Sequence, residues 1–339
     1  MTTDTLTLDL DTLNAQLHAA CVSCGASEEV ATAIVTAGLD AEMEGSSVTG
    51  ISHLVVYCEA MRAGRVDGYA EPHIENPTPV MYSVDAKTGF PHVGFDREFE
   101  SFCAAAKSFG VALFASRNGF TCGNLGYFSR RLAERGLVAL AATNAGPAML
   151  AASGSNRPVF ATNPIAFAAP RKEGPPLLID QSSSATAWIN IFNASQNGED
   201  IPAGWALDAK GQPTRDPSAA LKGALLAAGG DRGANIGLLV EMLSAGVTGA
   251  NWSLDAPSFA DGADSPGVGL FVIALAPNLL GGSEREQCFE EYFARLENEF
   301  NVYLPGKRRH TNKLRAQREG LDIKRTDWER FLAFAARPE

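Results

Sequence analysis

The sequence predicts a mixed α/β protein, and two observations carry this prediction. Up to residue 64, apolar side chains recur at helical spacing. From residue 72 onward, short apolar runs broken by Pro and Gly alternate with further helical patterns. A chain of 339 residues corresponds to about two domains, and we place their boundary near residue 80, where the pattern changes.

Three helices are predicted before this boundary. The first covers residues 11–24 and ends before Gly25, because glycine readily adopts the left-handed conformation that stops a helix. The second follows Ser27, a good N-terminal cap, and the third covers residues 51–63. The chain therefore opens with a helical part.

Strands and helices alternate after the boundary. The predicted strands cover residues 111–116, 137–143, 158–170, 177–180 and 267–276, and the predicted helices cover residues 95–109, 126–135, 185–195, 232–249, 283–300 and 326 onward. Residues 197–217 predict a long surface loop because they are rich in Gly, Pro and Asp.

Two finer expectations concern helices in the second half of the chain. The helix at 232–249 is predicted to be buried along one apolar face, which contains Ile236, Leu239, Val240, Leu243 and Val247. Capping boxes are expected at the starts of the last two helices, from Ser283 with Glu286 and from Thr326 with Glu329.

The charge balance and hydropathy exclude some classes of partner. With 28 basic and 39 acidic residues the formal charge is 28 − 39 = −11, which does not suit nucleic acid. The basic cluster within residues 307–325 is expected to be a solvated surface. The longest apolar run, residues 270–277, is far short of the about 20 residues that span a bilayer. Since the acidic start of the chain is also unlike a secretory signal, we expect a cytoplasmic protein without a membrane partner.

Six cysteines are too few for a disulfide scaffold in a chain of this length. Cys21 and Cys24 form a C-x-x-C pattern, but neither a second such pair nor a close histidine pair accompanies it. We therefore expect buried thiols on a helix there, and no metal site.

A glycine-rich turn at Gly119, Gly123 and Gly126 follows a predicted strand and precedes a helix, which is the setting of a phosphate-binding turn. Its spacing is G-x-x-x-G-x-x-G instead of G-x-G-x-x-G. Thr143 and Asn144 follow the next strand, where an ordinary NAD site has an acidic residue for the ribose. An ordinary Rossmann domain is therefore not predicted.

A second glycine-rich turn, residues 229–233, opens the predicted helix at 232–249. The free backbone N–H groups of such a helix start are suited to an anion. A plain packing turn explains the same residues, so both interpretations stay open.

Six segments, spread over nearly the whole chain, carry a family resemblance. They are residues 41–54 (AEMEGSSVTGISHL), 118–127 (NGFTCGNLGY), 160–170 (FATNPIAFAAP), 208–217 (DAKGQPTRDP), 229–233 (GGDRG) and 304–309 (LPGKRR). With them the chain resembles the malate/L-lactate dehydrogenase type-2 family. That family includes ureidoglycolate and sulfolactate dehydrogenases and the Δ1-piperideine/Δ1-pyrroline-2-carboxylate reductases.

The resemblance implies an architecture and a reaction class. Helices from both chain ends are expected to form a helical, dimerising domain from residues 1–80 and 300–339. Residues 81–299 are expected to form a mixed sheet domain, different from a Rossmann fold, that binds NADPH or NADH and the small-molecule substrate. Members are homodimers whose active-site clefts both subunits help to form. The implied reaction is hydride transfer at the carbon next to a carboxylate.

Several ionisable positions of the family have changed character in this chain. Members read S-H-G-x-x-R near the start, where this chain has Thr49 for the histidine and His53 for the arginine. A second family histidine is Thr121 here, and Asn190 stands where members have Lys or Asp. Arg232 replaces the lysine of G-G-x-K-G.

Carried over position by position, the resemblance implies a set of site residues. The catalytic candidates are Thr49, His53, Thr121 and Asn190, and the substrate-binding candidates are His53 and Arg232. The cofactor-binding candidates are Asn118, Gly123, Thr162, Asn163, Pro164, Ser182, Ser183, Ser184 and Arg232.

The altered site favours one kind of substrate. Reduction of a carbonyl leaves an alkoxide that must be protonated, and threonine is not an acid near neutral pH. His53 lies four residues after Thr49, on the same helix face, so it either donates that proton or merely packs. A cyclic imine takes its proton from solution before hydride arrives, so the sequence favours a cyclic 2-imino acid. A 2-hydroxy acid dehydrogenase and a catalytically silent nucleotide-binding member are the alternatives.

Overall fold

The computed structural model of the protein describes residues 4–336. The first half contains, in chain order, β1 (Thr5–Leu8), α1 (Leu10–Ser23), α2 (Glu28–Met43), a 3₁₀ turn (Ser47–Thr49), α3 (Ile51–Arg62), β2 (His73–Thr78), β3 (Met81–Asp85), α4 (Pro91–Phe109), β4 (Val111–Gly119), α5 (Gly126–Ala133), β5 (Val138–Thr143), β6 (Leu150–Ala151), β7 (Pro158–Phe160) and β8 (Ile165–Ala169).

The second half continues with β9 (Leu177–Gln181), α6 (Trp188–Asn197), β10 (Ala206–Leu207), β11 (Pro213–Thr214), α7 (Pro217–Ala220), β12 (Ala224–Leu225), α8 (Asp231–Glu241), a π-helical segment (Met242–Val247), β13 (Val268–Leu275), α9 (Pro277–Gly281), α10 (Arg285–Asn298), α11 (Lys307–Glu319), β14 (Leu321–Lys324) and α12 (Arg325–Ala335).

Helices from both chain ends pack together, as predicted. Helix α1 contacts α2, α3 and α12, and β1 pairs antiparallel with β14. The core between these helices is made of apolar side chains and buried thiols, among them Leu13, Leu17, Ile34, Leu54 and Phe331. Ser27 caps α2 by accepting a hydrogen bond from the backbone N–H of Val30.

A seven-stranded mixed sheet forms the centre of the rest of the chain. Its strand order is β2-β3-β4-β13-β5-β8-β9, and only the β3–β4 pair is parallel. Strand β2 begins before residue 80 and yet is the edge strand of this sheet. The mixed α/β class without a Rossmann arrangement is confirmed.

Both faces of the sheet are covered. Helices α4 and α5 lie on one face, where aromatic side chains including Phe95, Phe102, Phe114 and Phe128 fill the core. The π-helical segment after α8 contacts β4, β5 and β13. A strand buried on both faces needs a nearly continuous apolar sequence, which β13 has.

A second, five-stranded sheet has the order β11-β10-β12-β6-β7. Strands β10 and β11 lie within residues 197–217, so the prediction of a plain surface loop there is wrong. Ala206 of β10 is buried against Leu150 and Leu225, and this apolar contact orders the segment. Its high Gly, Pro and Asp content reflects the tight turns between very short strands.

The predicted strand at 158–170 is two strands in two different sheets. β7 belongs to the small sheet and β8 to the large one, and the chain turns between them at Asn163. Asn163 has a φ of 38°, in the left-handed region that asparagine tolerates better than most residues. This turn therefore divides an apolar run that looks like a single strand in the sequence.

The predicted burial of the helix at 232–249 is wrong for most of its apolar face. Helix α8 ends at Glu241, and Ile236 and Val247 are 40% and 61% exposed. Small residues face the sheet instead, because the backbones approach closely. A Cβ on Gly269 of β13 would lie 1.6 Å from the carbonyl oxygen of Ser244.

Neither predicted capping box forms. Helix α10 starts at Arg285 with Glu284 at the cap position, and Glu286 instead accepts a hydrogen bond from Asn278. Helix α12 starts at Arg325, which places Thr326 inside the helix. Pairing of β14 with β1 continues directly into this helix, so the sheet sets the helix start.

Two further features are the state of the cysteines and the length of the apolar helices. Cys21 and Cys24 are buried free thiols, as expected. None of the helices between residues 4 and 336 combines the length and apolar character that crossing a bilayer requires.

Candidate active site

His53, Thr121 and Tyr57 form a hydrogen-bonded cluster beside the first glycine-rich turn. The Nε2 atom of His53 lies 3.2 Å from Oγ1 of Thr121. The Thr121 hydroxyl donates to the Tyr57 hydroxyl at 3.0 Å, and Tyr57 donates to the Thr121 carbonyl oxygen at 3.4 Å. Because the single hydroxyl proton of Thr121 goes to Tyr57, Thr121 accepts from His53. This arrangement selects the tautomer of His53 with hydrogen on Nε2.

The 3₁₀ turn and the start of α3 bring Thr49 to the same place. A Cβ on Gly123 would lie 3.4 Å from the Tyr57 hydroxyl and 3.8 Å from the Thr49 carbonyl oxygen. Thr49 itself is half-buried, and its hydroxyl donates to the Ser46 carbonyl oxygen at 3.2 Å. The structure thus brings together Thr49, His53, Thr121 and Gly123, four of the predicted site residues.

His53 is neutral at physiological pH. Its ring packs edge-on against Tyr57, with centroids 4.7 Å apart, and removal from water lowers the pKa of His53 to about 4. The same burial raises the pKa of the Tyr57 hydroxyl far above its ordinary value. Neither side chain is therefore an effective proton donor near pH 7.

A second histidine lies behind the turn. His92, in the first turn of α4, is buried against Phe128 and faces the backbone of Cys122. Burial lowers the pKa of His92 to about 3, so it is neutral as well. The sequence had singled out only His53 near the site. His92 was missed because it lies in none of the family segments.

The predicted cofactor-binding segments meet at a separate place, between the two sheets. The backbone N–H of Ser183 donates to the Thr162 carbonyl oxygen at 2.9 Å, and its hydroxyl donates to the Asn163 carbonyl oxygen at 2.7 Å. The N–H of Ala228, just before the second glycine-rich turn, donates to the Ser183 carbonyl oxygen. The segments 162–164, 182–184 and 229–232 are therefore neighbours.

The side-chain amide nitrogen of Asn163 is hydrogen-bonded within the protein, whereas its buried Oδ1 atom has no partner among the described residues. Its amide donates to the Gly237 carbonyl oxygen at 2.8 Å and to the Glu241 carboxylate at 2.7 Å. The same carboxylate accepts from the backbone and hydroxyl of Ser253, each at 2.7 Å. The asparagine thus holds the 162–164 turn against α8, and it is fully buried. Its role toward the cofactor stays a prediction.

A cleft of about 460 Å³ opens at the start of α8. Its lining includes Ser153, Ser155, Gly229, Gly230 and Ala234. The helix begins at Gly230 without a side-chain cap, and both glycines have positive φ and no neighbouring atom where a Cβ would be. Free N–H groups at the start of an 11-residue helix, in a cleft lined by small residues, are suited to the phosphates of a dinucleotide.

Charges at this helix start are mixed. Arg232 is exposed and forms no ion pair with any residue between 4 and 336, so its guanidinium is available to an anion. Asp231, which lines the cleft, has the opposite charge. The positive end of the helix and Arg232 together outweigh this single acid.

Two predicted residues lie apart from these groups. Asn118 has a φ of 55° and donates from its amide to Asp85 at 3.0 Å, at the end of β4. Asn190 lies on α6 and donates to the Thr186 hydroxyl at 3.0 Å, while Thr186 in turn accepts from Ser184 at 2.7 Å. Asn190 therefore adjoins the cofactor segment, and no hydrogen bond between described residues joins it to His53 or Thr121.

The His53 cluster and the cofactor segments are joined through two contacts. The Cys122 thiol contacts Thr143, whose backbone N–H approaches the Pro164 carbonyl oxygen at 3.4 Å. Asp180, two residues before Ser182, accepts a hydrogen bond from the backbone N–H of Gly126 at 3.1 Å. The turn that carries Thr121 is thus fastened to the segment that carries the serines.

No group of three or more His, Cys, Asp or Glu side chains between residues 4 and 336 is arranged to hold a metal ion.

The chain is similar to known proteins over most of its length. Residues 8–332 match the family model described as malate/L-lactate dehydrogenase. The chain is 38% identical to a (2R)-3-sulfolactate dehydrogenase (NADP(+)) of Chromohalobacter salexigens, over 88% of each chain. It is 35% identical to a Δ1-pyrroline-2-carboxylate/Δ1-piperideine-2-carboxylate reductase of Pseudomonas syringae pv. tomato, over 92% of this chain and 91% of that protein.

A solved structure shows the same fold. The crystal structure of Δ1-piperideine-2-carboxylate reductase from Pseudomonas syringae pv. tomato superposes with a TM-score of 0.92 and 33% identity, covering 97% of this chain and all of that one. Together with the family match over nearly the full length, this shared fold gives one conclusion. The chain belongs to the malate/L-lactate dehydrogenase family of NAD(P)-dependent oxidoreductases.

Proposed function

We propose that the protein reduces a small cyclic 2-imino acid of the Δ1-pyrroline-2-carboxylate or Δ1-piperideine-2-carboxylate type. The observation that carries this proposal is the contact of His53 with Thr121 and Tyr57, in surroundings that lower the pKa of the histidine and raise that of the tyrosine hydroxyl. Reductases of both imino acids are among the relatives of the chain.

The proton balance distinguishes the two reaction classes. Bound NAD(P)H supplies a hydride. When the acceptor is a protonated imine, the hydride adds to its carbon and neutralises the cation, so the product amine requires no further proton. When the acceptor is a ketone, the hydride leaves an alkoxide that an acid must protonate. His53, Thr121 and Tyr57 suit only the first case.

His53 has a role toward such a substrate. With hydrogen on Nε2 for Thr121, its Nδ1 atom keeps a lone pair that accepts a hydrogen bond. We assign this acceptor to the N–H of the bound iminium ion. Thr49 and Thr121 add hydroxyl groups to the same region, and Asn190 is proposed to act from the neighbouring cofactor segment.

Anion binding is assigned to the second glycine-rich turn. The free N–H groups at the start of α8 and the serines at 182–184 are proposed to hold the cofactor phosphates. The guanidinium of Arg232 is proposed to bind a carboxylate or a phosphate. Gly123, the 162–164 turn and Asn118 are proposed to bind the nicotinamide part of the cofactor. Both NADPH and NADH are candidate cofactors.

The experiment is a substrate panel with the purified protein. Oxidation of NADPH and NADH is followed at neutral pH with Δ1-pyrroline-2-carboxylate, Δ1-piperideine-2-carboxylate, pyruvate and oxaloacetate. We expect the imino acids to be reduced faster. Faster reduction of pyruvate or oxaloacetate would overturn the proposal, and cofactor binding without turnover of any compound would indicate a silent member.

A 2-hydroxy acid is the second candidate, and one observation favours it. The 38% identical relative is a sulfolactate dehydrogenase, whose substrate is a 2-hydroxy acid. Oxidation of sulfolactate, malate and lactate with NADP⁺ and NAD⁺ is therefore included in the panel. A kcat/KM above that for the imino acids would select this function.

We further propose a homodimer that acts in the cytoplasm. Large apolar side chains are exposed beside the candidate site, at Val48, and along the outer face of α8 and the π-helical segment, at Ile236, Met242 and Val247. A second copy would bury such a face. The six free thiols suit a reducing compartment. Light scattering should give twice the monomer mass, and Val247→Glu should lower it if this face is the interface.

A further inference from the structure

Arg309, in the first turn of α11, lies where three segments of the candidate active site meet. Its Nη1 atom is 3.2 Å from a carboxylate oxygen of Glu44 and 3.5 Å from the amide oxygen of Asn124. Its Nη2 atom is 3.3 Å from a carboxylate oxygen of Asp180. The sequence had placed this residue in a solvated basic surface, and that prediction is wrong for Arg309, whose side chain is only 24% exposed.

The first of these contacts holds the segment before Thr49. Glu44 ends α2, and its side chain is almost fully buried. The chain continues from it through Gly45 and Ser46 into the 3₁₀ turn, where the Ser46 carbonyl oxygen accepts from both the N–H and the hydroxyl of Thr49. Fixing Glu44 therefore fixes the position from which Thr49 and α3 begin.

The other two contacts hold the Thr121 turn and the serine segment. Asp180 accepts from the N–H of Gly126, and the Asn124 amide oxygen accepts from the same N–H, both at 3.1 Å. Gly126 ends the turn that carries Thr121. Ser182 follows Asp180 along the chain, so one carboxylate fastens both segments.

We propose that Arg309 is a positioning residue for the hydride-transfer site, because it joins the segments that carry Thr49, Thr121 and Ser182 to one guanidinium. This inference rests on the proposed function for its kinetic consequences, and its geometric part stands without it. The residue acts through Glu44 and Asp180, so it is not a catalytic residue.

The contact with both Glu44 and Asp180 depends on the planar shape of the arginine side chain. A planar guanidinium presents several N–H groups at fixed angles, so it reaches two carboxylates on different segments at once, whereas an ammonium group acts as a single point charge. Arg309→Lys should therefore keep the charge and lose the simultaneous contact. Misplacement of a reacting group by about 1 Å costs on the order of 100-fold in rate.

Other cations of α11 provide matched controls. Lys313 forms an ion pair with Asp40 of α2, so it also docks α11, yet it contacts none of the three site segments. Arg308 is exposed and has no ion-pair partner among residues 4–336. Lys313→Gln reports the loss of helix docking alone, and Arg308→Gln reports the loss of a surface charge.

The kinetic test compares Arg309→Gln with these controls, using the imino acid that the wild type reduces. We expect kcat/KM to fall roughly 10-fold to 100-fold in Arg309→Gln, mainly through kcat, and by less than about 3-fold in both controls. Arg309→Lys should recover only part of the loss. The proposal is wrong if Lys313→Gln loses as much activity as Arg309→Gln, or if Arg309→Gln keeps wild-type kcat.

The pH profile separates positioning from general loss of stability. Burial raises the pKa of Asp180 and of Glu44, and Arg309 opposes both rises. The other charged groups of the same cluster are Arg130, Asp40, Glu134 and Lys313. Without the guanidinium, Asp180 and Glu44 take up protons at higher pH. The acidic limb of the pH profile of kcat should therefore move to higher pH in Arg309→Gln and keep its position in Lys313→Gln. An unchanged limb in Arg309→Gln would contradict the proposal.

A measurement without substrate keeps this inference apart from the proposed function. Hydrogen exchange of the intact protein should become faster at the amides of residues 45–50 and 120–126 in Arg309→Gln. In Lys313→Gln these amides should exchange at the wild-type rate. If the wild type reduces no imino acid, the proposed function fails, while the exchange result still decides whether Arg309 holds these segments. Equal exchange in all variants would overturn the geometric part.

Discussion

The hydroxyl of Thr121 lies between the imidazole of His53, at 3.2 Å, and the hydroxyl of Tyr57, at 3.0 Å. One small side chain therefore sets both the tautomer of the histidine and the direction of the tyrosine hydroxyl. Burial lowers the pKa of His53 to about 4 and raises the pKa of the Tyr57 hydroxyl far above its ordinary value, so the neutral forms of both side chains are favoured.

Thr121→Val should lower kcat/KM for the imino acid by about 10-fold, because it removes a hydrogen bond to each of two buried groups. Thr121→Ser retains the hydroxyl and should stay within about 3-fold of wild type. Steady-state kinetics of the two variants check this. Equal losses in both variants would contradict this role of the hydroxyl, because Thr121→Ser keeps it.

His53→Gln should reduce the rate without removing a pH limb between about pH 5 and about pH 8. The pKa of His53 is lowered to about 4, so the ring changes its protonation state only below this range. The pH profiles of kcat for wild type and variant should therefore be parallel. A limb near neutrality that is present in wild type and absent in His53→Gln would show that His53 donates a proton after all.

His92 should make the protein less stable as the pH falls. Its pKa is about 3 in the folded protein and about 6.5 in the unfolded chain, so between these values the unfolded state binds more protons. From pH 7 to pH 5 this histidine alone should cost about 2 kcal/mol of unfolding free energy. Urea unfolding at the two pH values measures this difference.

His92→Phe should show a smaller loss between the two pH values, since phenylalanine suits the aromatic surroundings of Phe128 and does not titrate. The exposed His73, which lies 3.0 Å from Glu75, provides the control as His73→Gln. If His92→Phe and wild type lose the same stability on acidification, His92 does not carry this effect.

Arg232→Gln should weaken the binding of an anion by about 10-fold, because a charge-assisted hydrogen bond is lost. Titration of tryptophan fluorescence with NADPH and NADH, alongside KM for the imino acid, shows whether the cofactor or the substrate is affected. The neighbouring Asp231→Asn is the control, and it should leave binding unchanged or improve it. Unchanged Kd and KM in Arg232→Gln would remove the arginine from both sites.

Gly269→Ala should destabilise the protein by about 3 kcal/mol or more, because the new Cβ would lie 1.6 Å from the Ser244 carbonyl oxygen. Gly237→Ala meets only ordinary contacts, the nearest at 3.4 Å, and lies within α8, where alanine is the better helix former. Thermal unfolding of the two variants compares them. A Gly269→Ala protein as stable as wild type would contradict the close approach of β13 and the π-helical segment.

The site could be predicted from the sequence only in part. The family segments led to Thr49, His53, Thr121 and Gly123, and the structure brings these four together. The roles of all the predicted site residues stay predictions. Tyr57 follows the 41–54 segment, but the sequence predicted no role for it. For Arg309 the sequence predicted a position on a solvated surface. A signal was present for Arg309, because it is the last residue of the 304–309 segment (LPGKRR) that carries the family resemblance.

Local sequence patterns predict where most helices and strands lie, because periodicity and caps act over a few residues. The helical opening, the strand at β13 and the buried thiols of α1 follow from such local patterns. The sequence also determined the family, since the matching strings can be read without any knowledge of contacts.

Contacts between residues that are distant in the sequence depend on the tertiary fold. His53 and Thr121 are 68 positions apart, and Arg309 and Glu44 are 265 apart, so no local pattern joins them. The fold also determines which face of α8 and of the π-helical segment is buried. The backbones of the π-helical segment and β13 lie so close together that large side chains do not fit between them. The small residues around Ser244 therefore face Gly269, and the larger apolar ones are left outside.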